Sequence, residues 1–185
     1  MNTADIFAHA LTAGDFANAL TAGDDAHATT TGFNAHATTT SDDAHATTAG
    51  NFSHATTAGD SAYATTSGNY ARATTSGNYA HATTAGNYAR ATTSGNYAHA
   101  TTAGNHAHAT TAGASARASV SGANSIAVAV GYNSCARAAN GGFIVLAQYD
   151  GSTVVAVKTA QAGKDGIKPD TWYKLSPTGK FVEAE

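Results

Sequence analysis

Glycine falls on every ninth residue through most of this 185-residue chain. The series is interrupted once, by Ser41, and it comprises Gly14, Gly23, Gly32, Gly50, Gly59, Gly68, Gly77, Gly86, Gly95, Gly104, Gly113, Gly122 and Gly131. The residues between them repeat the pattern Gly-Asn-Tyr-Ala-(His/Arg)-Ala-Thr-Thr-(Ala/Ser), most regularly from Gly68 to Gly104. A register held this long is typical of one small structural unit that is copied and stacked. Such a stack forms long regular surfaces more readily than catalytic pockets.

Alanine supplies most of the hydrophobic residues, which make up 42% of the chain, and large aliphatic side chains are nearly absent before Ile126. A thick globular core is therefore excluded for the first 120 residues, and a thin, backbone-dense stack has to replace it. Repeats rich in Gly, Ala, Ser and Thr can also remain disordered. The strict alternation of residue types argues against disorder.

The repeat that begins at Gly68 shows the local structure that we expect. Tyr70–Thr74 alternates large and small residues, which is the period of a β-strand. Arg72 cannot be buried without a partner, so the alanines on either side of it are expected to point inward. Thr75–Asn78 is typical of a turn, in which glycine takes a positive φ and asparagine tolerates one. Each repeat thus predicts one strand and one corner.

A closed loop of nine residues is too tight, so we expect two repeats in each coil of about 18 residues. The alternation of Arg72, His81, Arg90 and His99 agrees with that period, and a three-sided coil of 27 residues is the alternative. Roughly seven coils at ~4.8 Å give a rod about 35 Å long. One outward ladder is predicted to read His9, His27, His45, Tyr63, His81, His99, Arg117, and the other Asn18, His36, His54, Arg72, Arg90, His108, Ile126.

The repeat pattern changes near the C-terminus, and residues 142–185 are expected to form a small antiparallel β cap on a solenoid of residues 1–141. Val145–Gln148 and Val154–Lys158 flank Asp150-Gly151, a strong hairpin signal. A second hairpin is predicted for Thr171–Leu175 and Lys180–Glu183. A cap of this kind would cover strand edges that the last coil otherwise exposes. The predicted fold is therefore an all-β parallel solenoid with an antiparallel cap.

Two stretches resemble known families. Ser125–Ser134, with the Gly-x-x-Ala-x-Ala elements before it, resembles the head repeats of trimeric autotransporter adhesins, although those repeats are shorter. The Gly-x-Tyr-Ala-Arg units and the tail Gly163–Leu175 are more similar to uncharacterised nonapeptide-repeat proteins of enterobacterial prophages. This second resemblance covers nearly the whole chain and implies a phage-related origin, but no activity.

The targeting and redox signals of the sequence are weak. The first residues carry no basic or apolar run of the kind found in secretory signals, and no stretch approaches the ~20 apolar residues of a membrane span. Cys135 is alone, which excludes an internal disulfide framework. A cytoplasmic location is expected, with association with a virion as a second reading.

Charge is unevenly distributed along the chain. Residues 1–71 contain seven aspartates and no Lys or Arg, whereas residues 72–141 contain four arginines and no acid. A rod built from these repeats is acidic at one end and basic further along. The acidic end is assigned to Asp15, Asp24, Asp25, Asp42, Asp43 and Asp60.

No catalytic residues, metal site or cofactor is predicted, because the sequence lacks the motifs of nucleophilic, phosphate-binding or metalloprotease sites. Eight of the nine histidines stand at the outward position that Arg72 occupies in its repeat; His106 is the exception. A straight ladder offers no converging third ligand for a metal ion. Protonation of stacked neighbours is mutually unfavourable, so stability is expected to fall below about pH 6.

The predicted interaction surface consists of tyrosine columns beside basic residues, namely Tyr70, Arg72, Tyr79, His81, Tyr88, Arg90, Tyr97 and His99. Aromatic columns beside arginines can bind nucleic acid. Stacking of the tyrosines on one another, which stabilises a sheet, is the favoured interpretation. Four arginines make only a thin basic patch, so nucleic acid is not the expected partner.

The sequence points to a non-enzymatic scaffold that presents rigid faces to a protein partner or to a second copy of itself. The alternative is a trimeric phage or surface module in which the cap is the oligomerisation element. Two further readings are weaker. The threonine pairs are similar to ranks in ice-binding solenoids, but bulky columns interrupt a flat face, and the aspartates are sparse for an inhibitor that imitates DNA.

Overall fold

The computed structural model describes residues 8–184, and these are wound into an all-β parallel solenoid of eight coils. Each coil contributes one strand to a ten-stranded sheet and one to a nine-stranded sheet. In the ten-stranded sheet lie β1 His9–Ala13, β3 His27–Thr31, β5 His45–Ala49, β7 Tyr63–Ser67, β9 His81–Ala85, β11 His99–Ala103, β13 Arg117–Val120, β15 Cys135–Ala138, β18 Tyr173–Leu175 and β19 Phe181–Glu183. In the nine-stranded sheet lie β2 Asn18–Thr21, β4 His36–Thr39, β6 His54–Thr57, β8 Arg72–Thr75, β10 Arg90–Thr93, β12 His108–Thr111, β14 Ile126–Ala129, β16 Phe143–Asp150 and β17 Thr153–Gln161.

The register between coils is 18 residues throughout the repeats, which confirms two repeats per coil and excludes the 27-residue alternative. His81 pairs with His99, and Arg72 pairs with Arg90, each through parallel strands of the same sheet. Both outward ladders follow the predicted order from His9 and Asn18 onward. The estimate of seven coils is one too few, because β15 and β16 form an eighth.

The position of the strand within each repeat differs from the prediction. β8 begins at Arg72, and Tyr70 lies in the preceding corner with a left-handed φ of 60°. Thr75, expected in a turn, is the last residue of the strand and is buried. The left-handed residue of a corner is thus the second after glycine. Neither the glycine nor the asparagine of Gly77-Asn78 has a positive φ, whereas alternate glycines, such as Gly68 at 137° and Gly86 at 149°, do have the expected positive φ. Alternation continues into the corner, so the residue pattern alone does not mark where the strand starts.

Two kinds of corner connect the sheets. Corner 1, exemplified by Gly68–Ala71, leads from the ten-stranded to the nine-stranded sheet, and corner 2, exemplified by Gly77–Ala80, leads back. A Cβ atom at Gly77 would overlap the carbonyl oxygen of Gly59 in the preceding coil, although Gly77 has an ordinary φ. The periodic glycines are therefore required by the close stacking of one corner on the next. Where Ser41 replaces glycine, its hydroxyl accepts a 2.8 Å hydrogen bond from the N–H of Gly23.

Each coil encloses a thin interior of alanine and threonine. Ala71 and Ala73 are buried as predicted, and the second threonine of the pair, here Thr75, completes the inward set. The buried threonine hydroxyls have no hydrogen-bond partner at Thr12, Thr21, Thr30, Thr39, Thr57, Thr66, Thr75, Thr84, Thr93, Thr102 and Thr111. Thr48 differs, because its hydroxyl donates a 3.1 Å hydrogen bond to that of Ser53. An unpaired buried hydroxyl opposes folding, so coil-to-coil hydrogen bonds and methyl packing have to offset it.

The predicted C-terminal hairpins are present and pack on the last coil. β16 pairs parallel to β14 and antiparallel to β17, so the first hairpin extends the nine-stranded sheet. β18 and β19 pair antiparallel, and β18 joins β15 through Ala136 and Tyr173. Larger buried side chains, including Ile144 and Leu146, fill this end of the interior. Trp172 lies 5.4 Å from the Arg117 guanidinium and 4.8 Å from that of Arg137, which holds the tail against the ten-stranded sheet.

Replacement of Thr75 by valine is expected to raise the free energy of unfolding by about 1 kcal/mol, because valine keeps the shape and removes an unpaired buried hydroxyl. Thr74→Val provides the control, since Thr74 is the neighbouring outward threonine and should show almost no change. Thr75→Ser keeps the hydroxyl and removes the methyl, so it should destabilise by about 1 kcal/mol. Urea denaturation measures all three, and a destabilised Thr75→Val variant would contradict the arrangement of the interior.

Replacement of Gly77 by alanine should lower the free energy of unfolding by roughly 1–3 kcal/mol, through overlap with the coil below. Because Gly77 has an ordinary φ, backbone strain is not part of the effect. Ser76→Ala is the matched control, since Ser76 is exposed and adjacent. Equal denaturation midpoints for the two variants would show that successive corners are not in close contact.

Candidate functional site

The outer surface of the solenoid is organised in columns that run from coil to coil. From β3 to β12, the first residue of each strand belongs to a column of His, Arg or Tyr, and the third residue belongs to a column of Thr. A further column at each corner consists of the left-handed residues, such as Tyr70 and Tyr88 at corner 1 and Tyr79 and Tyr97 at corner 2. Because main-chain pairing fixes the register, each side chain lies above the equivalent one in the preceding coil.

The aromatic side chains stack face to face along these columns. At corner 1, ring centroids are 4.9 Å apart between Phe52 and Tyr70, and 5.0 Å apart between Tyr70 and Tyr88 and between Tyr88 and His106. The planes of these rings diverge by 3° to 8°. The predicted stacking is therefore present, and the ring faces cover one another. These side chains therefore expose their ring edges and hydroxyls to the solvent, perpendicular to the column.

A groove of about 410 Å³ runs beside the corner 1 column on the outer face of the nine-stranded sheet. We call it the basic groove, and its lining comprises Asn34, Phe52, His54, Tyr70, Arg72, Tyr88, Arg90, His106 and His108. One wall is the aromatic column, and the other is the run of imidazole and guanidinium groups from β6 to β12. Four of the predicted interaction residues, Tyr70, Arg72, Tyr88 and Arg90, meet here.

Two arginines give the basic groove its positive charge. Arg72 and Arg90 are exposed and lie directly above one another in register, and neither forms an ion pair within residues 8–184. The edge of an aromatic ring carries partial positive charge, in contrast to its face. Two stacked guanidinium groups repel each other unless an anion lies between or beside them. This arrangement favours a row of anionic groups.

The other four predicted residues belong to the other side of the solenoid. Tyr79 and Tyr97 stack at 5.1 Å at corner 2. His81 and His99 stack at 4.8 Å on the ten-stranded sheet. Tyr79, Tyr97 and His99 border a shallow pocket with Arg117, Cys135, Lys174 and Glu183. The eight residues of the predicted surface are therefore divided between two sites.

The aspartates of the acidic end lie at corners, and most of them share one edge. Asp24, Asp25, Asp42, Asp43 and Asp60 all belong to corner 2, and we call them the aspartate edge; Asp15 lies at corner 1. Asp42 Oδ1 accepts a 2.8 Å hydrogen bond from the N–H of Asp60, and Asp60 Oδ1 accepts one of 2.7 Å from the N–H of Asn78. Asn78 and Asn96 continue this ladder, accepting hydrogen bonds of 3.0 Å and 2.8 Å from the next coil, and the asparagines of corner 1 form a second ladder of the same kind at 2.9 Å. These aspartates thus join coils as well as carrying charge.

Burial lowers the pKa of several outward histidines below the ordinary value of 6.5, namely His45, His54, His81, His99 and His108. Neighbouring cations lower the pKa of some further, as Arg72 does for His54 and Arg90 for His108. Asp25 and Asp43 act in the opposite direction on the pKa of His45. These five imidazoles are therefore predominantly neutral at pH 7.

The geometry offers little support for metal or thiol chemistry. Within residues 8–184, no group of three or more His, Cys, Asp or Glu is placed to hold a metal ion. Burial raises the pKa of the Cys135 thiol, although Arg117 and Lys174 partly oppose it. A thiol in that state is a poor nucleophile. In the same part of the chain no helix is long and apolar enough to cross a membrane.

Sequence reasoning missed part of the basic groove and the ladder of aspartate and asparagine oxygens. Phe52, His54, His106 and His108 occupy positions equivalent to Tyr70 and Arg72 in other coils. The 18-residue period was sufficient to group these residues. The hydrogen-bonding role of the residue after glycine carried no distinct signal, because asparagine is common in turns for other reasons.

Thermal stability is expected to fall as the pH is lowered from 7.5 to 5.5. The five affected histidines have lower pKa values in the folded chain than the ordinary 6.5, so the unfolded chain binds more protons below that pH. The loss begins near pH 6.5 and continues through the lower folded values. Replacement of these five histidines by glutamine should flatten the dependence. A wild-type melting temperature that stays constant over this range would contradict the assignment.

No family model matches the chain, and no match is found among curated proteins or solved structures. The resemblance to prophage repeat proteins therefore remains an expectation from the sequence. The β-solenoid fold is established by the strand pairing of the chain itself.

Proposed function

We propose that this protein is a non-enzymatic repeat scaffold that binds an acidic protein surface in its basic groove. The observation that carries the proposal is the pair of stacked, exposed arginines, Arg72 and Arg90, without an ion-pair partner in residues 8–184. Like charges in register cost free energy in the isolated chain. A bound row of carboxylates relieves that cost, so the unpaired column supports a partner of opposite charge.

The rigidity of the groove supports a binding role. Its lining residues lie on strands or at corners that are hydrogen-bonded to both neighbouring coils, as when Tyr70 donates to Asn87 and Arg90 donates to Ala71. The backbone and the stacked rings of the groove lose little freedom when a partner binds, which favours affinity. The groove is also open along its length, as suits an extended surface of another protein.

Stacking of the ring faces makes nucleic acid the less suitable ligand. Proteins that bind single strands place bases against open aromatic faces. Between Phe52 and His106 those faces are covered by neighbouring rings, and Phe33 approaches the outer face of Phe52 with a centroid distance of 5.3 Å. Carboxylates need only the ring edges, hydroxyls and guanidinium groups that remain accessible.

Fluorescently labelled poly-glutamate is expected to bind the purified protein at low ionic strength, with anisotropy as the measurement. The double variant Arg72→Glu with Arg90→Glu should weaken binding at least about tenfold, since it reverses both unpaired charges. Lys164→Glu with Lys180→Glu is the matched control, because both lysines are exposed and lie outside the groove. It changes the net charge equally and should retain most of the affinity.

Single-stranded nucleic acid, the alternative ligand, is tested in the same anisotropy assay. A labelled single-stranded oligonucleotide should bind more weakly than poly-glutamate of similar charge. If the oligonucleotide binds as tightly, and the arginine variant abolishes both interactions, the groove is a general polyanion site and the proposal of a protein partner is wrong. Equal affinities of the arginine variant and the lysine control for poly-glutamate would also overturn it.

A second candidate function is that of an oligomeric structural module assembled through the cap, and one observation favours it. β17 is the edge strand of the nine-stranded sheet, and Val154, Val155 and Val157 on it are 49%, 53% and 57% exposed. Apolar edge strands can pair with another chain. Assembly by this route should be lost on replacement of Val155 and Val157 by lysine and should persist at high salt, because it is apolar.

A further inference from the structure

The two charged features of this solenoid repeat at the same interval. The basic groove places Arg72 and Arg90 one coil apart, with the imidazoles of His54 and His108 on either side of them in the same column. The aspartate edge places carboxylates one coil apart on three successive coils, at corner 2. Both intervals are set by parallel strand pairing, at ~4.8 Å. The anions of one molecule are therefore spaced as the cations of another.

Other acidic segments match this spacing less well. Side chains on one face of an extended strand are roughly 6.7 Å apart, so they miss the ~4.8 Å step between Arg72 and Arg90 by about 2 Å. Successive turns of an α-helix are ~5.4 Å apart and miss the same step by about 0.6 Å. Carboxylates on a second parallel solenoid repeat at the same ~4.8 Å and match it. Charge complementarity together with this common spacing favours a parallel solenoid as the partner.

We propose that the basic groove of one molecule binds the aspartate edge of a second copy of this chain. The proposal rests on the proposed function, since it names the acidic protein surface that the groove takes. Asp25 and Asp43 are exposed at left-handed corner positions, where their side chains extend away from the coil. Asp42 uses Oδ1 for the ladder between coils, which leaves its Oδ2 to face a partner, whereas Oδ2 of Asp60 accepts a 3.5 Å hydrogen bond from Asn78 Nδ2.

The contact joins two different surfaces, so it is heterologous. The groove borders corner 1 and extends from the coil of His54 to that of His108, whereas the aspartate edge is at corner 2 and ends at Asp60. Each molecule in a pair then keeps one unused groove or edge. Heterologous contacts of this kind form rings or open chains of molecules. The expected assembly grows with concentration rather than stopping at a dimer.

Sedimentation velocity of the full chain, over a range of concentrations, tests the proposal. At low ionic strength the weight-average sedimentation coefficient should rise with concentration, and high salt should return it to the monomer value, because exposed charges are screened. Arg72→Glu with Arg90→Glu should weaken association at least about tenfold. The lysine pair Lys164→Glu and Lys180→Glu should leave it nearly unchanged.

The acidic surface is tested separately, with Asp25→Asn and Asp43→Asn. Asparagine occupies the same left-handed position at Asn124 and Asn133, so this variant is expected to fold. Alone it should associate at least about tenfold more weakly than the wild type, because its edge has lost the two carboxylates that extend away from the coil. Mixed with the arginine double variant, which keeps its aspartates, it should form a 1:1 complex that grows no further. Circular dichroism melts verify that each variant is folded.

Three results would overturn the proposal. The wild-type chain could stay monomeric at low salt, or the Asp25→Asn, Asp43→Asn variant could associate as strongly as the wild type. The third result is an assembly that is disrupted only by replacement of Val155 and Val157 by lysine. The last result identifies the cap as the contact. Binding of poly-glutamate that depends on Arg72 and Arg90, in a chain that stays monomeric, leaves the proposed function in place and removes only this inference. If the chain neither binds poly-glutamate through these arginines nor self-associates, the proposed function and this inference are both wrong.

Discussion

Main-chain hydrogen bonds between successive coils fix the spacing of every surface feature of this protein. They hold only because the corners can approach one another closely, and Gly77 shows what this requires, since any Cβ there would overlap the carbonyl oxygen of Gly59. Once the corners are in contact, small inward residues such as Ala73 fill the seam between the sheets. Tyrosine rings, guanidinium groups and carboxylates then repeat at the spacing of the backbone. Surface chemistry in this chain is a consequence of backbone packing.

The sequence predicted the overall architecture in detail and the start of each strand incorrectly. Register was predictable because glycine and alanine recur without insertion, so that Arg72 had to lie above Arg90 and His81 above His99. The error at Tyr70 has a physical origin, because a left-handed corner residue and an outward strand residue are both followed by an inward alanine. Because the strand was predicted to start and end too early, Thr75 was assigned to the turn and its burial was not predicted. Its hydroxyl also gives no hydrogen-bonding signal that marks it as interior.

The candidate site was only half predictable. Composition identified aromatic and basic columns, but residues on opposite sheets, such as Arg90 and His99, were grouped in one surface. The two predicted ladders already placed these residues on different faces, and the alternation of consecutive repeats between the two sheets confirms that separation. The structure also shows which part of each aromatic ring is accessible. Covered faces and open edges change the preferred ligand from bases to carboxylates, and residue types alone carry no information on that choice.

The alternation of sheets has a consequence for how such a chain can change in length. Duplication of an 18-residue coil lengthens the rod and leaves every later residue on its original side. Insertion or loss of a single nine-residue repeat transfers all later residues to the opposite sheet. Arginines after that point then no longer lie in register with the arginines before it. Length can therefore vary without loss of the groove only in steps of two repeats. Odd numbers of repeats break the surface even where the fold survives.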